Sequence, residues 1–338
     1  MRSSRYPRKG LLARAVTAVG VVVALLLTAA PAQAAYPNPG RVTGDITGVH
    51  DPGVVKAPNG SYIMISTNNY LEIRTSTDRI NWRRVGSVWS SGQPTWTYAY
   101  TPSNQRGYLW APDITYRNGQ YYLYYSASSF GSNRSAIFLA TSPTAMPGTW
   151  THRGLVIETN TSSNYNAIDP NLILDERGNW FLSFGSFWSG IKMIRLEPST
   201  GLRHGSDRIL HNIASRHVSP YAIEAPYIFR RGNYYYLFVS FDFCCRGTSS
   251  TYKTMVGRST SVTGPYTDRN GTRLLDGGGT EILATHGSVY GPGHVAVLQD
   301  TDAPVLFYHY YFSNNTPATG KLGINLLRFD GNGWPIVY

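Results

Sequence analysis

The sequence predicts an all-β chain folded as a five-bladed β-propeller, each blade a four-stranded antiparallel sheet standing around a central channel. Three observations predict it. The chain can be aligned on five prolines, in His50-Asp51-Pro52, Trp110-Ala111-Pro112-Asp113, Ile168-Asp169-Pro170, Glu224-Ala225-Pro226 and Tyr290-Gly291-Pro292, with successive spacings of 60, 58, 56 and 66 residues. The composition is rich in Tyr (25), Phe (12), Trp (8) and Gly (34) and only 14% charged, which suits strands and turns better than helices. No segment keeps a helical period, and units of this length with several strands each are the mark of propeller blades. A solenoid would need shorter rungs, and a pair of sandwiches would not repeat five times.

Taken from the N-terminus, the first element is an export signal. Five basic residues (Arg2, Arg5, Arg8, Lys9, Arg14) precede an apolar run from Val16 to Ala30, and Ala32-Gln33-Ala34 is a small-x-small cleavage site. Residues 1–34 are therefore read as a secretory signal peptide and 35–338 as one propeller domain, exported and extracellular. A membrane anchor would need a longer apolar run. The net charge of +11 falls on cleavage, because removing five of the 30 basic residues leaves 25 against 19 acidic, a net of +6. No Lys/Arg run accompanies that excess, so neither nucleic acid nor, after processing, a membrane is expected as a partner.

Within each unit the proline leads into a short apolar strand, a turn and an aromatic second strand: Asn118-Gly119 before Tyr121–Tyr125, Arg177-Gly178 before Trp180–Leu182, Arg231-Gly232 before Tyr234–Phe238. These are hairpins. A third strand follows, as in Ile137–Thr141 and Thr254–Arg258, and a fourth is expected around Thr149–Arg153 and Tyr266–Arg269. Blade 1 begins near the mature N-terminus and blade 5 ends at Tyr338, so ring closure should rest on packing between the terminal blades. Gly277-Gly278-Gly279 lacks the following Lys-Ser/Thr of a phosphate loop and is read as a connecting loop. Cys244 and Cys245 are adjacent and cannot staple distant segments; a vicinal disulfide and two buried thiols are both open, and a zinc site is not expected.

The innermost strands of a propeller start near its axis, so residues beside the aligned prolines should meet at one mouth of the channel. Asp51, Asp169 and Glu224 stand there in blades 1, 3 and 4, and Asp113 follows the proline of blade 2. One such acid could be a turn former that bonds backbone amides, and Asp113, on the other side of its proline, admits that reading as readily as the functional one. Three together suit hydrolysis of a glycosidic bond, which needs one carboxyl as acid, another as base or nucleophile, and tolerates a third that raises the acid's pKa. A sugar-binding propeller without catalysis would have no use for three.

The ordered set Val49-His50-Asp51-Pro52, Trp110-Ala111-Pro112-Asp113, Asn166-Ala167-Ile168-Asp169-Pro170, Phe184–Trp188, Ile223-Glu224-Ala225-Pro226, Phe241–Gly247 and Gly291-Pro292-Gly293-His294 resembles glycoside hydrolase family 43, and within it the endo-acting arabinan 1,5-α-L-arabinanases. The resemblance covers essentially the whole mature chain. It implies inverting cleavage of internal α-1,5-L-arabinofuranosidic bonds of plant cell-wall arabinan by a monomer, with Asp51 as general base, Glu224 as general acid and Asp169 tuning and orienting the acid. An exo-acting arabinofuranosidase or xylosidase of the same family is the alternative. Inversion implies Asp51 and Glu224 carboxyls roughly 6.5 to 9.5 Å apart. It further implies that His294 helps hold a central cation, calcium, largely through water, with no organic cofactor. Trp110, Phe130 and Trp188 are candidates to stack on sugar faces, and Asn166 and Ser186 to bond hydroxyls.

Overall fold

The computed structural model describes Met1 and residues 36–312 and 319–338; the export segment expected over residues 1–34 lies, Met1 apart, outside the described residues. Five sheets, antiparallel except where Thr43–Gly44 pairs in parallel with Asn81–Ser87, follow one another along the chain as the blades of a propeller. Their innermost strands are Gly53–Lys56, Tyr108–Arg117, Asn171–Leu174, Ile223–Arg231 and Tyr290–Gln299. Blades 1 and 2 each gain a two-residue edge strand, Thr43–Gly44 and Asn68–Asn69. Among the described residues the helical elements are four short 3₁₀ turns, the longest Thr95–Tyr100.

Aromatic and β-branched residues dominate the second and third strands because both faces of each sheet are covered. Tyr62–Ser66, Trp180–Phe184 and Ser135–Ser142 are buried at every position, so these strands lose the in–out alternation of a half-exposed sheet. The described core falls into five apolar clusters, one at each seam between neighbouring blades. At the seam joining blade 5 to blade 1, Val54, Met64 and Trp82 meet Phe307, Leu322 and Ile324, and Trp82 stands edge-on to Phe307 at 6.2 Å. Truncating such a buried Trp to Ala costs about 3–5 kcal/mol. The segment before blade 1 adds a strap across this seam: Gly40 N–H donates to Ile324 O (2.8 Å) and Leu322 N–H to Ile46 O (2.9 Å). Apart from Asn68–Asn69, which leaves the chain of blade 1 to pair with blade 2, each blade comes from contiguous chain; among the described residues no blade is shared between the two ends, so closure rests on packing and this strap.

One expected strand is elsewhere. The fourth strand of blade 4 is Thr280–Leu283, whereas Tyr266–Arg269 makes only isolated bridges from Thr267 to Arg258 and Arg273. Tyr266 is buried there with its hydroxyl donating to Val262 O (2.6 Å), and Asp268 accepts amide bonds from Asn270 and Thr272. A local turn thus takes the backbone groups that a ladder would have used. In blade 2 the fourth strand is Thr151–Thr159, starting later and running further than expected.

The proline repeat has a backbone counterpart. The residue before the aligned proline is left-handed in all five blades, with φ of 51° at Asp51, 47° at Ala111, 60° at Asp169, 54° at Ala225 and 56° at Gly291. Four of the five are not glycine, and a left-handed L-residue costs about 1–2 kcal/mol. In blades 2, 4 and 5 the ladder skips register at that point, between Trp110 and Asp113, Glu224 and Tyr227, and Tyr290 and Gly293. The bulge bends each strand where it reaches the channel and re-aims the side chains beside the proline.

Candidate active site

The bent strand ends surround a cleft of about 450 Å³ lined from all five blades. Asp51, Asp169, Glu224 and His294 lie on its floor, and Trp110, Asn166, Ser186, Phe130 and Trp188 on its walls, so the residues singled out from sequence meet in one place. Asp113 does not. Its carboxylate points between blades, accepting from Leu172 N–H (2.8 Å) and Asn171 Nδ2 (3.2 Å), while Asn171 Oδ1 accepts from Ile228 N–H (2.8 Å). It ties blades 2, 3 and 4 together, and burial raises its pKa to about 6. Lying after its proline rather than before the bulge, it faces away from the channel.

Asp51 is built to stay ionised. Thr67, just past the second strand of blade 1, donates to Oδ2 at 2.5 Å and is itself oriented by Ala111 N–H at 2.8 Å. His50 Nδ1 and His294 Nδ1 stand 2.9 and 3.1 Å from Oδ1. The His50 contact is close, but His50 Nδ1 makes no well-aligned hydrogen bond. Burial pushes the carboxyl up, yet His50 and His294 outweigh it and hold the group well below the usual range. His294 gains in return: burial opposes its charge, but Asp51, then Asp169 and Glu224, raise it to about 9. A third imidazole, His309, is fully buried and kept neutral by burial first and then by His50.

Glu224 and Asp169 are shifted the other way. Burial raises Glu224, and the Asp51 charge adds to it, while hydrogen bonds from Tyr252 Oη to Oε1 (2.7 Å) and from Ser186 Oγ to Oε2 (2.8 Å) work against the rise. Burial, with Glu224 and Asp51 nearby, carries Asp169 well above its ordinary value despite His294. Asp169 Oδ2 accepts from Ala225 N–H at 3.1 Å, which fastens it to the residue after Glu224. Because the Tyr252 bond favours ionised Glu224, Tyr252→Phe should move the alkaline limb of the kcat/KM profile upward. A limb that stays put or moves down would contradict that.

Sequence reasoning missed the supports. Thr67, Ser126, Tyr252, His309 and Tyr311 sit on or beside second and third strands, away from the aligned prolines, and Ser126, His309 and Tyr311 lie in aromatic runs that read as packing. Tyr311 Oη accepts from Cys245 N–H (2.8 Å) and lies 2.7 Å from His50 Nε2. Cys244 and Cys245 are joined as a vicinal disulfide that lines the cleft, with Cys245 Sγ 3.8 Å from His50 Nε2. Of the walls, Phe130 is 76% exposed and edge-on to Trp110 at 5.8 Å, and Trp188 is 38% exposed. Asn166 is buried with its Oδ1 unpartnered, an acceptor free for a sugar hydroxyl.

For a cation the donor set at His294 is poor. Among the described residues, the groups of three or more His, Cys, Asp or Glu donors close enough to share an ion are His50–Cys244–Cys245 and His50–Asp51–His309, and neither contains His294. The first has its sulfurs joined to each other. Calcium takes six to eight oxygens, whereas His294 offers one nitrogen beyond the atom paired with Asp51. Direct calcium ligation does not fit, and no step below runs through a metal.

One carboxyl held below its ordinary range facing two that burial pushes up, under a rim of exposed aromatic rings, is the pattern that acid–base cleavage of a glycosidic bond requires, and it defines a glycoside hydrolase on a propeller. The family model for glycosyl hydrolases family 43 matches residues 46–335, and the chain belongs to that family. It is 42% identical over 314 residues to the extracellular endo-α-(1→5)-L-arabinanase 1 of Bacillus subtilis (strain 168), covering 92% of this chain and 93% of that one. Among solved structures it resembles the family 43 endo-arabinanase from Bacillus licheniformis (44% identity, TM-score 0.79, 88% of this chain and 99% of that one). It also resembles the exo-1,5-α-L-arabinanase from a bovine ruminal metagenomic library (40% identity, TM-score 0.80, 88% and 100%).

Proposed function

We propose that this glycoside hydrolase cuts internal α-1,5-L-arabinofuranosidic bonds of arabinan with inversion. Asp51 takes a proton from water as that water attacks the anomeric carbon; Glu224 gives its proton to the leaving oxygen; Asp169 keeps Glu224 protonated and, through Ala225, holds it in place. The observation that carries the reading is that Asp51 and Glu224 line one cleft with their pKa values pushed in opposite directions. The substrate is carried by the likeness to the endo-arabinanases of both Bacillus species. Exposed Phe130 and Trp188, beyond the buried carboxyls, suit sugars on either side of the cut bond.

Exo cleavage is the second reading, favoured by the likeness to the rumen protein. Product analysis on linear arabinan separates them: oligosaccharides released first support endo cutting, and arabinose alone from the outset refutes it. A calcium ion near His294 would be outer-sphere, held through water, so the same assay in excess chelator should lose little of its rate; complete and calcium-reversible loss would point to direct ligation instead. Export is proposed from residues 1–34 and from the extracellular name of the Bacillus subtilis relative. Appearance in culture medium of a chain beginning near Ala35 is the expected result.

A further inference from the structure

Along the inner strands and at their starts, left-handed residues turn their amides toward the preceding blade, where a side chain accepts the proton. Thr67 Oγ1 accepts from Ala111 (2.8 Å), Ser126 Oγ from Asp169 (3.1 Å), Asp169 Oδ2 from Ala225 (3.1 Å) and Ser240 Oγ from left-handed His294 (2.9 Å). At the seam where blade 5 closes on blade 1 the acceptor is different. There His309 Nδ1 accepts the Asp51 N–H at 3.1 Å. The same Nδ1 lies 3.4 Å from Asp51 Oδ1, further than from the amide; while it accepts the amide proton it carries none of its own, which puts the ring proton on Nε2, 3.5 Å from Tyr311 Oη.

The same ring does more than cap an amide. It stacks on His50 at 3.7 Å between centroids, interplanar angle 24°, and on Tyr252 at 5.9 Å and 22°. His50 adjoins Asp51, and Tyr252 donates to Glu224 at 2.7 Å. One fully buried side chain therefore touches the support of each reacting carboxyl. We infer that His309 is a positioning residue that sets where Asp51 stands relative to Glu224, by accepting the Asp51 amide and packing between His50 and Tyr252.

The inference rests on the reading of Asp51 as base, and the experiment separates the two. Full-length His309→Leu, His309→Asn and Asp51→Asn are compared with wild type for kcat, KM, pH profile and melting temperature. Leu removes the acceptor; Asn Oδ1 can take the place of Nδ1. Misplacing a reacting group by about 1 Å costs on the order of 100-fold. His309→Leu should therefore lose about 100-fold in kcat with little change in KM, and His309→Asn should return to within about tenfold of wild type, even if both melt earlier. Wild-type kcat in His309→Leu, or equal losses in the Leu and Asn variants, overturns the inference. If Asp51→Asn is itself fully active, it is the base assignment that has failed.

Discussion

Glu224→Gln is expected to lower kcat on arabinan by about 10³-fold while leaving KM near its starting value, since a positioned general acid contributes roughly 10²–10⁴-fold. Glutamine keeps the size and shape of Glu224; its Oε1 can accept from one of Tyr252 and Ser186, and its Nε2 can donate to the other hydroxyl, so the cleft keeps its shape while the acidic proton is lost. An aryl arabinofuranoside whose leaving group needs no protonation should lose far less. Equal losses on polymer and aryl substrate would show that Glu224 is not the acid, and undiminished hydrolysis would remove it from the chemistry altogether.

Asp51→Asn should be as damaging, but with a different signature. Water must be activated whatever the leaving group, so loss of about 10³-fold is expected on polymer and aryl substrate alike. The variant keeps an acceptor for Thr67 yet removes the charge that holds His294 protonated, whose pKa should then fall from about 9. Nuclear magnetic resonance titration of that imidazole checks the electrostatic half of the account independently of turnover. An unchanged His294 titration would mean that Asp51 is not its dominant partner.

Much of this site was legible in the sequence because the repeat carried it. Aligned prolines gave five equivalent strand starts, and in a propeller equivalent starts converge, so Asp51, Asp169 and Glu224 could be brought together without a contact map. What alignment could not reveal is direction. Asp113 sits one residue past its proline, beyond the bulge, and turns into a seam; an acid one or two places before the proline faces the channel. The supports were hidden for another reason. His309 lies within a strand so aromatic that a polar tip among packing rings leaves no mark, Tyr252 stands in a loop directly before a third strand with no repeat position to single it out, and Thr67 and Ser126 are one hydroxyl each. The displaced fourth strand of blade 4 shows the limit of strand propensity, since a buried Tyr266 and an Asp268 turn took the backbone bonds first.

The division of labour between an ionised Asp51 and a protonated Glu224 predicts attack by water on the face opposite the leaving group. Proton magnetic resonance of the first sugar released, recorded before mutarotation, tests this most directly. The account predicts that an α-linked substrate yields the β anomer first; the α anomer first would mean a covalent route and would contradict it.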